Sequence, residues 1–422
     1  MNAVSTVHAL VATGVQYRVR ERVLGHSPKQ LGAFLCDRLP KISMTCVKLG
    51  QLVSSRPDLF DKELCRSLVT LQDGVAPMAF DTVRAVLDDS KVAKALKSVD
   101  PNPVASATIA QVHRGRLRDG SRVALKVLRP GVLQQLTRDM DLMDGLLQAM
   151  TAASLEGAAD TKALLLQFRE TLLRETDFAR ERAALTRFRR LFSRNPMVLV
   201  PAVYSDLSCD NVLVMEFVPS VRLCDVVDQT HRSSLAVLLM GTFLSQILDG
   251  GLVHADPHGG NMGVAGTQQL VLYDFGNIIE LPPGMQQSLK RVMLMMIEGD
   301  LDGIIAELPS LNVIVNEPQE LRGYLQTYIS YLRSLDIEEF KAATSTMPTE
   351  KVSKVPIKVG IEMLGLLRVM SMLEGTCKSL DESFQYQNVW PVLLLQLMAD
   401  SDLIKARCRQ DMKRIGLDFF EL

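Results

Sequence analysis

Residues 254–261, with the sequence HADPHGGN, decide the fold of this chain. Their spacing, H-x-D-x-x-x-x-N, is that of a kinase catalytic loop, in which the aspartate orients the nucleophile and the asparagine amide oxygen holds a magnesium ion. Asp256 and Asn261 occupy those two positions. His254 and His258 are explained more simply as packing or capping groups than as metal ligands, because a zinc site needs further ligands that the nearby sequence does not supply.

A further magnesium-binding carboxylate is predicted thirteen residues after Asn261, where the segment VLYDFG ends a short apolar run with Asp274. An aspartate at that place can ligate a magnesium ion that bridges nucleotide phosphates. Asp256, Asn261 and Asp274 are weak signals singly, but at these separations they indicate phosphoryl-transfer chemistry. We therefore predict that Asp256 is catalytic and that Asn261 and Asp274 bind the metal.

A phosphate-binding lysine and a loop that covers the nucleotide are predicted upstream. Lys126 ends VALK, which matches the V-A-I-K element whose lysine pairs with nucleotide phosphates. The preceding ASATIAQV, laid on the pattern G-x-G-x-x-G-x-V, has Ala105, Ala107 and Ala110 in the glycine positions and Val112 in place. Because alanine resists positive φ, this loop should be stiffer than a glycine-rich one, which suggests an altered nucleotide preference or restrained phosphotransfer.

The lysine needs an acidic partner, and RETDFARERAAL supplies candidates on a predicted helix. They are Glu175, Asp177 and Glu181, of which the last two share a helix face at four-residue spacing. The hinge that receives adenine is predicted in NVLVMEFV, with Met215 in a gatekeeper-like place and the backbone of Glu216–Val218 available to the base.

The segment after Asp274 differs from that of ordinary protein kinases. The chain reaches IIELPPG within a few residues, with no long activation segment and no A-P-E motif. Since protein kinases use that segment to hold a peptide, a small or lipid-like acceptor, or hydrolysis, is expected instead.

The composition is that of an intracellular globular protein. Hydrophobic residues make up 47% of the 422, and the formal net charge is −1, so nothing draws the chain toward nucleic acid. Seven scattered cysteines without a CxxC pair indicate a reducing compartment. A mitochondrion or plastid fits the acid-free start up to Glu21, and a bacterial cytoplasm is left open. No transmembrane anchor is expected, since the apolar segment from Ser233 indicates a buried helix.

Periodicity predicts a helical start, a small β-rich region and a larger helical region. Residues 1–100 have helical spacing, and two β-branched runs joined by RDG then predict a hairpin. Helices are predicted over 132–150 and 161–192, MVLVPAVYS and NVLVMEFVP as a strand pair, and mainly helix from Arg232. The predicted domains are an extension over 1–100, a kinase-like N-lobe with inserted helices over 101–218 and a helical C-lobe over 219–422.

These motifs together resemble the UbiB/ADCK family of atypical kinases, from about Val47 to past Glu280. KLGQ matches the family's KxGQ element, PVASATIAQVHRG its alanine-rich loop and ETD its ExD motif, and HADPHGGN and DFG complete the set. The resemblance implies a bilobal, protein-kinase-like α+β fold with a helical N-terminal extension that carries KxGQ. The chain departs from the family at Gly259, where proline is usual, and in lacking the C-terminal hydrophobic hairpin of bacterial members, so membrane contact is expected to be peripheral.

In this family the KxGQ helix folds over the active site and fills the groove where a protein kinase takes peptide. The resemblance therefore implies that Lys48 faces Glu175 and Asp177, and that Gln51 faces the phosphate region. It leaves Glu181 as the partner of the VALK lysine.

The resemblance also implies a magnesium-dependent kinase or ATPase that binds ATP or ADP and supports ubiquinone, other prenylquinone or lipid metabolism. The expected partners are the nucleotide, a lipid or quinone precursor and a peripheral membrane surface. Two alternatives stay open, an authentic protein kinase and a nucleotide-gated scaffold or chaperone of a biosynthetic complex. The sequence does not indicate the oligomeric state.

Overall fold

The computed structural model describes residues 3–54, 56, 60–72, 76–152, 158–227, 229–266, 268–323, 325–326, 357–385 and 389. The chain divides into two compact units, one formed by Met1–Thr186 with Pro201–Val218 and the other by Arg187–Val200 with Pro219–Leu422. The first 100 residues fall in the same unit as the strands that follow them, and the division into three domains stays a prediction. The C-terminal segment, on which the predicted lack of a hairpin rests, lies outside the described residues.

Both units contain helices and strands. The helices are α1 Ala3–Arg22, α2 Pro28–Ile42, α3 Met44–Ser54, α4 Lys62–Leu68, α5 Phe80–Asp88, α6 Val132–Ala152, α7 Ala158–Glu175, α8 Phe178–Leu191, α9 Gln229–Ser245, α10 Met285–Glu298, α11 Leu301–Glu307 and α12 Ile361–Leu380. The strands are β1 Leu96–Ser106, β2 Ala110–Leu117, β3 Arg122–Leu128, β4 Val198–Leu199, β5 Val212–Glu216, β6 Val221–Arg222, β7 Leu252–His254, β8 Met262–Ala265, β9 Gln269–Leu272, β10 Ile278–Glu280, β11 Val313–Val315 and β12 Ile357–Val359.

The N-terminal helices follow the predicted periodicity as far as α5. Ser27 begins α2 by a capping box with Gln30, which satisfies two backbone N–H groups that the first helical turn leaves without partners. Asp61 begins α4 by accepting the N–H groups of Glu63 and Leu64. The apolar faces of α2, α3 and α4 meet in a buried cluster of Leu31, Val47, Leu64, Leu68 and Leu71. This packing fixes α3, the helix that carries KLGQ.

The first unit contains a four-stranded antiparallel sheet in the order β1-β2-β3-β5. The predicted hairpin is β2–β3, whose turn contains Gly120 at φ 94°. Alternation along β3 directs Val123, Leu125 and Val127 into a core with α5, so Lys126 projects from the other face of the strand. β1 starts earlier than the sequence suggested, and as an edge strand it tolerates its two prolines.

The second unit contains a four-stranded sheet in the order β4-β9-β8-β6 and the strand pairs β7–β10 and β11–β12. The predicted pairing of MVLVPAVYS with NVLVMEFVP is wrong for its first half, because β4 pairs in parallel with β9. The second half does meet β5, at a bridge between Val203 and Met215 and through backbone hydrogen bonds from Tyr204 to Val214 and from Glu216 to Ala202. A short apolar run has no local feature that selects its partner strand, so tertiary packing selects it.

The region after Arg232 contains more strand than predicted, since β7 to β12 interrupt the helices. α9 runs into a π-helical turn at Gln246–Gly250, which ends at Gly251 with φ 60°. By length and composition alone, His231–Gly250 would suffice to cross a membrane, as core helices of many proteins would, and more than half of it is buried inside the protein. That no anchor exists stays a prediction.

Candidate active site

In the first unit, Lys126 forms an ion pair with Glu181. Lys126 Nζ lies 2.7 Å from one carboxylate oxygen and 3.0 Å from the other. The Glu181 side chain is 1% exposed and the Lys126 side chain 14% exposed, so water solvates neither charge to any large extent. The Lys126 ammonium also lies 5.7 Å from the centre of the Phe178 ring. The pair therefore holds the ammonium group of Lys126 in one position on the face of β3, as a phosphate-binding lysine requires.

Residues of the KLGQ helix contact both the ExD motif and the alanine loop. Lys48 Nζ lies 2.7 Å from Glu175, and both side chains are mostly buried. Gln51 Nε2 donates to the Leu71 carbonyl at 2.7 Å and to Thr108 Oγ1 at 3.4 Å.

Asp177, the other acid expected near Lys48, begins helix α8. Its carboxylate accepts the N–H groups of Ala179 and Arg180, both at 3.0 Å. Of the two ExD acids, the structure thus places Glu175 against Lys48 and uses Asp177 as a helix cap.

The alanine loop, residues 105–110, is a tight turn between β1 and β2. Ala107 N–H donates to the Ala110 carbonyl at 2.9 Å, Ala105 and Ala107 are exposed, and Ala110 is buried. In the described chain Asn312 is the one residue other than glycine with positive φ, so the turn needs no left-handed residue. Val112 pairs with Lys126 across β2 and β3.

Arg129, which the sequence reasoning missed, holds this loop. Its guanidinium donates to the carbonyl of Ala107 at 3.0 Å, to Ser106 Oγ at 3.0 Å and to the carbonyl of Ala76 at 2.9 Å. Burial lowers the pKa of Arg129 from its usual value. The signal in the sequence was a basic residue directly after the VALK strand, but which loop it would reach depends on the fold.

The predicted hinge is the end of β5. Met215 is buried and pairs with Ala124 of β3. The backbone N–H of Glu216 donates to the Ala202 carbonyl at 2.7 Å, and its carboxylate accepts the Ala202 N–H at 3.1 Å. Val218 is partly buried at the end of the unit. The hinge backbone is thus held on one side by the segment of the same chain around Ala202 and on the other side by β3.

In the second unit, the HADPHGGN loop is fixed by short-range hydrogen bonds. His254 Nδ1 accepts the Asp256 N–H at 3.1 Å, and His258 Nδ1 accepts the Gly260 N–H at 3.0 Å. Asn261 Nδ2 donates to the carbonyl of Asp256 at 3.2 Å and to its carboxylate at 3.4 Å. This places the amide nitrogen of Asn261 against Asp256 and directs its amide oxygen elsewhere, an orientation that follows from the hydrogen bonds.

The β8–β9 hairpin brings Asn261 and Asp274 to the same end of a sheet. Met262 pairs with Leu272, and the Tyr273 N–H donates to the Asn261 carbonyl at 3.0 Å. Asp274 accepts the Gly276 N–H at 2.9 Å. Asn261 directly precedes β8 and Asp274 follows β9, so the two predicted magnesium ligands lie side by side at one end of this sheet.

Glycine is required at position 263 of this hairpin. A Cβ there would lie 2.0 Å from Tyr273 Oη, which hydrogen-bonds to Ser220. Gly259 is different, because a Cβ would meet Cys224 at an ordinary 3.4 Å and its φ is not positive. The backbone therefore does not demand glycine where the family usually has proline.

His254 is part of a buried aromatic cluster. Its ring lies 5.6 Å from Phe275 and 6.2 Å from Phe243, and Phe275 lies 4.6 Å from Phe188. Burial lowers the pKa of His254, although Asp256 and Asp274 act in the opposite direction. The neutral ring therefore serves as a structural acceptor for the Asp256 N–H.

The donors at this end of the second unit suit magnesium. The Asn261 amide oxygen and the Asp274 carboxylate are hard oxygen ligands, which magnesium prefers and zinc does not require. Among the described residues, no group of three or more His, Cys, Asp or Glu side chains has a metal-binding arrangement. A magnesium ion that keeps water ligands and nucleotide oxygens fits two protein donors.

Comparison with known proteins identifies the family. Residues 70–308, more than half of the chain, match the family model described as ABC1 atypical kinase-like domain. The chain belongs to the ABC1 atypical kinase-like family. The resemblance to UbiB/ADCK proteins that the motifs predicted is thereby confirmed. Lys126, the HADPHGGN loop and Asp274 lie within the matched residues, whereas Lys48 and Gln51 precede them.

Relatives of this ABC1-family chain occur in cyanobacteria, plants and other bacteria. It is 28% identical over 396 residues to an uncharacterized protein of Synechocystis, covering 90% of this chain and 67% of the relative. It is 27% identical over 372 residues to Protein ACTIVITY OF BC1 COMPLEX KINASE 7, chloroplastic, of Arabidopsis thaliana, covering 86% and 54%. It is 32% identical over 324 residues to the probable protein kinase UbiB of Cellvibrio japonicus, covering 74% and 55%. The chain thus spans about half to two thirds of the length of these relatives.

A solved structure supports the fold. The erythromycin complex of Rv3197 from Mycobacterium tuberculosis has a TM-score of 0.59 to this chain at 22% identity, covering 79% of this chain and 87% of that one. At this identity the likeness concerns the fold alone. With the family match, it confirms the predicted kinase-like α+β fold.

Proposed function

We propose that this ABC1-family chain binds ATP or ADP with magnesium and acts as an atypical kinase or ATPase. The observation that carries the proposal is the arrangement of Asp256, Asn261 and Asp274 in the second unit. The Asn261 amide is oriented by Asp256, and the strand pairing brings Asn261 beside Asp274. Such an arrangement suits a metal-bound phosphate next to a carboxylate that can accept a proton.

Each residue has a chemical role in this proposal. Lys126, held by Glu181, pairs with nucleotide phosphates, and the alanine loop covers them. Met215 and the backbone of Glu216–Val218 receive adenine. Magnesium, when bound, neutralises phosphate charge, and Asn261 and Asp274 hold it. Asp256 orients the attacking hydroxyl or water and takes its proton.

The acceptor is proposed to be small or lipid-like, or to be water. The short segment between Asp274 and IIELPPG supports this, because it lacks the A-P-E motif with which protein kinases hold peptide. A role in prenylquinone or lipid metabolism, at a membrane surface, is proposed from the UbiB resemblance. The relatives are chloroplastic or bacterial by name or source, which favours a plastid or a bacterial cell as the location.

A nucleotide-gated scaffold is the second candidate, and the tethered alanine loop favours it. Gln51 and Arg129 both hold residues of that loop, so these hydrogen bonds would have to break before the loop could rearrange around a transferring phosphate. Such a protein would bind nucleotide and change conformation with little turnover. A protein kinase would instead phosphorylate a defined protein, as the name of the Cellvibrio relative suggests for that protein.

Magnesium-dependent nucleotide binding and ATP hydrolysis by the purified chain, with and without anionic liposomes, test the proposal. Asp274→Asn should abolish the nucleotide-induced rise in melting temperature and the turnover. Asp302→Asn, which alters a surface carboxylate paired with Arg322, is the matched control and should behave as the wild type. An unchanged melting shift in Asp274→Asn would reject the metal assignment. Tight binding without turnover in any condition would favour the scaffold.

A further inference from the structure

Helix α12 contacts the catalytic loop on both sides of Asp256. Thr376 Oγ1 donates to the Pro257 carbonyl at 2.8 Å, and an Arg368 Nη2–H donates to the Ala255 carbonyl at 3.4 Å. These carbonyls belong to the residues immediately before and after Asp256. Thr376 and Arg368 lie eight positions apart on one helix, which places them on the same face. A single helix thus holds the backbone that carries the proposed proton acceptor.

α12 is itself firmly anchored within the second unit. One face of the helix is buried, through Leu366, Val369, Leu373, Cys377 and Leu380. Cys377 Sγ contacts the Ala236 carbonyl of α9 at 3.5 Å. Arg232 of α9 donates to the carbonyls of Leu380 at 2.8 Å and of Ser379. A helix fixed in this way can impose a position on a loop that it contacts.

The backbone of His254, two residues before Asp256, is held by a side chain from the turn that follows α9. The side-chain oxygen of Gln246, in the π-helical turn after α9, accepts the His254 N–H at 2.9 Å. The backbone from His254 to Pro257 is therefore connected to two helices that are bonded to each other. The backbones of Asn261 and Asp274, by contrast, are held at the β8–β9 hairpin, although the Asn261 side chain also donates to Asp256. The backbone of Asp256 and the backbones of the metal ligands are therefore supported by different elements.

We infer that Thr376 and Arg368 are positioning residues for Asp256, which set the rate of the chemical step more than nucleotide affinity. The inference rests on the proposed function for its kinetic part. Neither residue lies in the segment 70–308 that matches the family model. Because the two carbonyls flank Asp256, loss of either bond lets the carboxylate shift while the β8–β9 hairpin keeps the backbones of the magnesium ligands in place. A shift of about 1 Å can lower the rate of a catalysed step by as much as roughly a hundredfold.

Thr376→Val tests the inference, since it removes the hydroxyl and keeps the shape. The kcat for ATP hydrolysis should fall about tenfold, with KM for magnesium-ATP within about twofold, because the effect falls on orientation of Asp256. Thr376→Ser, which restores a hydroxyl, should recover most of the rate. Arg368→Met should also lower kcat. If these variants instead raised KM and left kcat unchanged, the assignment would be overturned.

Thr242→Val is a closely matched control. Thr242 lies in α9 of the same unit, and its hydroxyl donates to Leu238 of its own helix at 2.7 Å. The single hydroxyl proton of Thr376 lies within reach of the Pro257 carbonyl at 2.8 Å and, less closely, of the Met372 carbonyl of its own helix at 3.1 Å, so the contact with Pro257 is the difference between the two sites. Thr242→Val should leave kcat within about twofold of the wild type, as expected for a residue whose hydroxyl bonds to its own helix.

Hydrogen exchange of the catalytic loop separates this inference from the proposed function. The loop amides of Asp256, His258, Gly260 and Asn261 are all hydrogen-bonded within the loop. In Thr376→Val their exchange should rise about tenfold, and in Thr242→Val it should not change. If the wild-type protein did not bind nucleotide, the proposed function would be rejected. The difference in exchange between the two variants would still show that α12 holds the loop. Unchanged loop exchange in Thr376→Val would overturn the inference whatever the activity.

Discussion

The residues proposed to bind nucleotide phosphate and those proposed to bind magnesium are held in opposite ways. In the first unit, Lys126 of β3 and Glu181 of α8 are 55 positions apart in the chain and meet in a buried ion pair. In the second unit, the bonds within the HADPHGGN and DFG segments span two to five residues, and helix α12 adds bonds to the backbone beside Asp256 from 113 and 119 positions away. The first unit thus relies on buried charge pairs, whereas the loops of the second unit rely on hydrogen bonds to backbone groups, most of them local.

This difference separates stability from chemistry. A buried charge pair is costly to break, because the remaining charge is left without a partner in a medium of low polarity. A local turn bond contributes little to stability, yet it sets where a reacting carboxylate points. Substitutions in the first unit should therefore change unfolding most, while those in the loops of the second unit should change catalysis most.

Lys126→Met should give the largest loss of stability. It leaves Glu181 buried and unpaired, so the free energy of unfolding should fall by about 3–5 kcal/mol. Denaturant unfolding measures this, and Lys126→Met combined with Glu181→Leu should recover part of the loss. A fall below about 1 kcal/mol in the single variant would mean that water reaches the carboxylate.

Lys48→Met should have a smaller effect on the same measurement. Lys48 and Glu175 are 21% and 16% exposed, so partial solvation offsets the lost pair, and we expect a fall of about 1–2 kcal/mol. Lys41→Met is the control, because its pair with Asp37 is exposed on both sides and its loss should change the free energy of unfolding little. Equal effects in both variants would contradict the role of burial.

The pH dependence of stability should reveal His254. Burial lowers the pKa of His254 in the folded state. As the pH falls, the histidine is therefore protonated in the unfolded state before it is protonated in the folded state. Stability from this group is complete above the unfolded pKa of about 6.5 and is lost as the pH falls below it. The fall in unfolding free energy between pH 7.5 and 5.5 should exceed that of His254→Gln by about 1 kcal/mol. Identical pH profiles would contradict a buried neutral histidine.

Ala107→Gly should have the smallest effect on stability and a measurable one on nucleotide preference. Glycine loosens the turn, which should lower the free energy of unfolding by about 0.5–1 kcal/mol and change the ratio of ADP to ATP affinity. Titration calorimetry with both nucleotides measures this ratio. The same ratio in both proteins would contradict the idea that the stiff loop sets the preference.

Prediction from the sequence succeeded where the relevant contacts are local. The helical start, the β2–β3 hairpin and the helices after Val132 follow from hydrophobic periodicity and turn residues. The pairing of β4 with β9 could not be predicted, since both runs are short and apolar. Asp177 was expected to face Lys48, but its position at the start of α8 makes it a cap, and helix boundaries are decided by one or two residues.

The sequence by itself determined the motifs on which the proposed chemistry rests, because the spacing H-x-D-x-x-x-x-N and the nearby DFG are read directly from neighbouring residues. It also determined the alanine loop and the lysine that ends VALK. Only the tertiary structure decided that Arg129 holds that loop, that Glu175 rather than Asp177 pairs with Lys48, and that α12 supports Asp256. These contacts join residues far apart in the chain, so they depend on the packing of whole helices and strands rather than on any local pattern of residues.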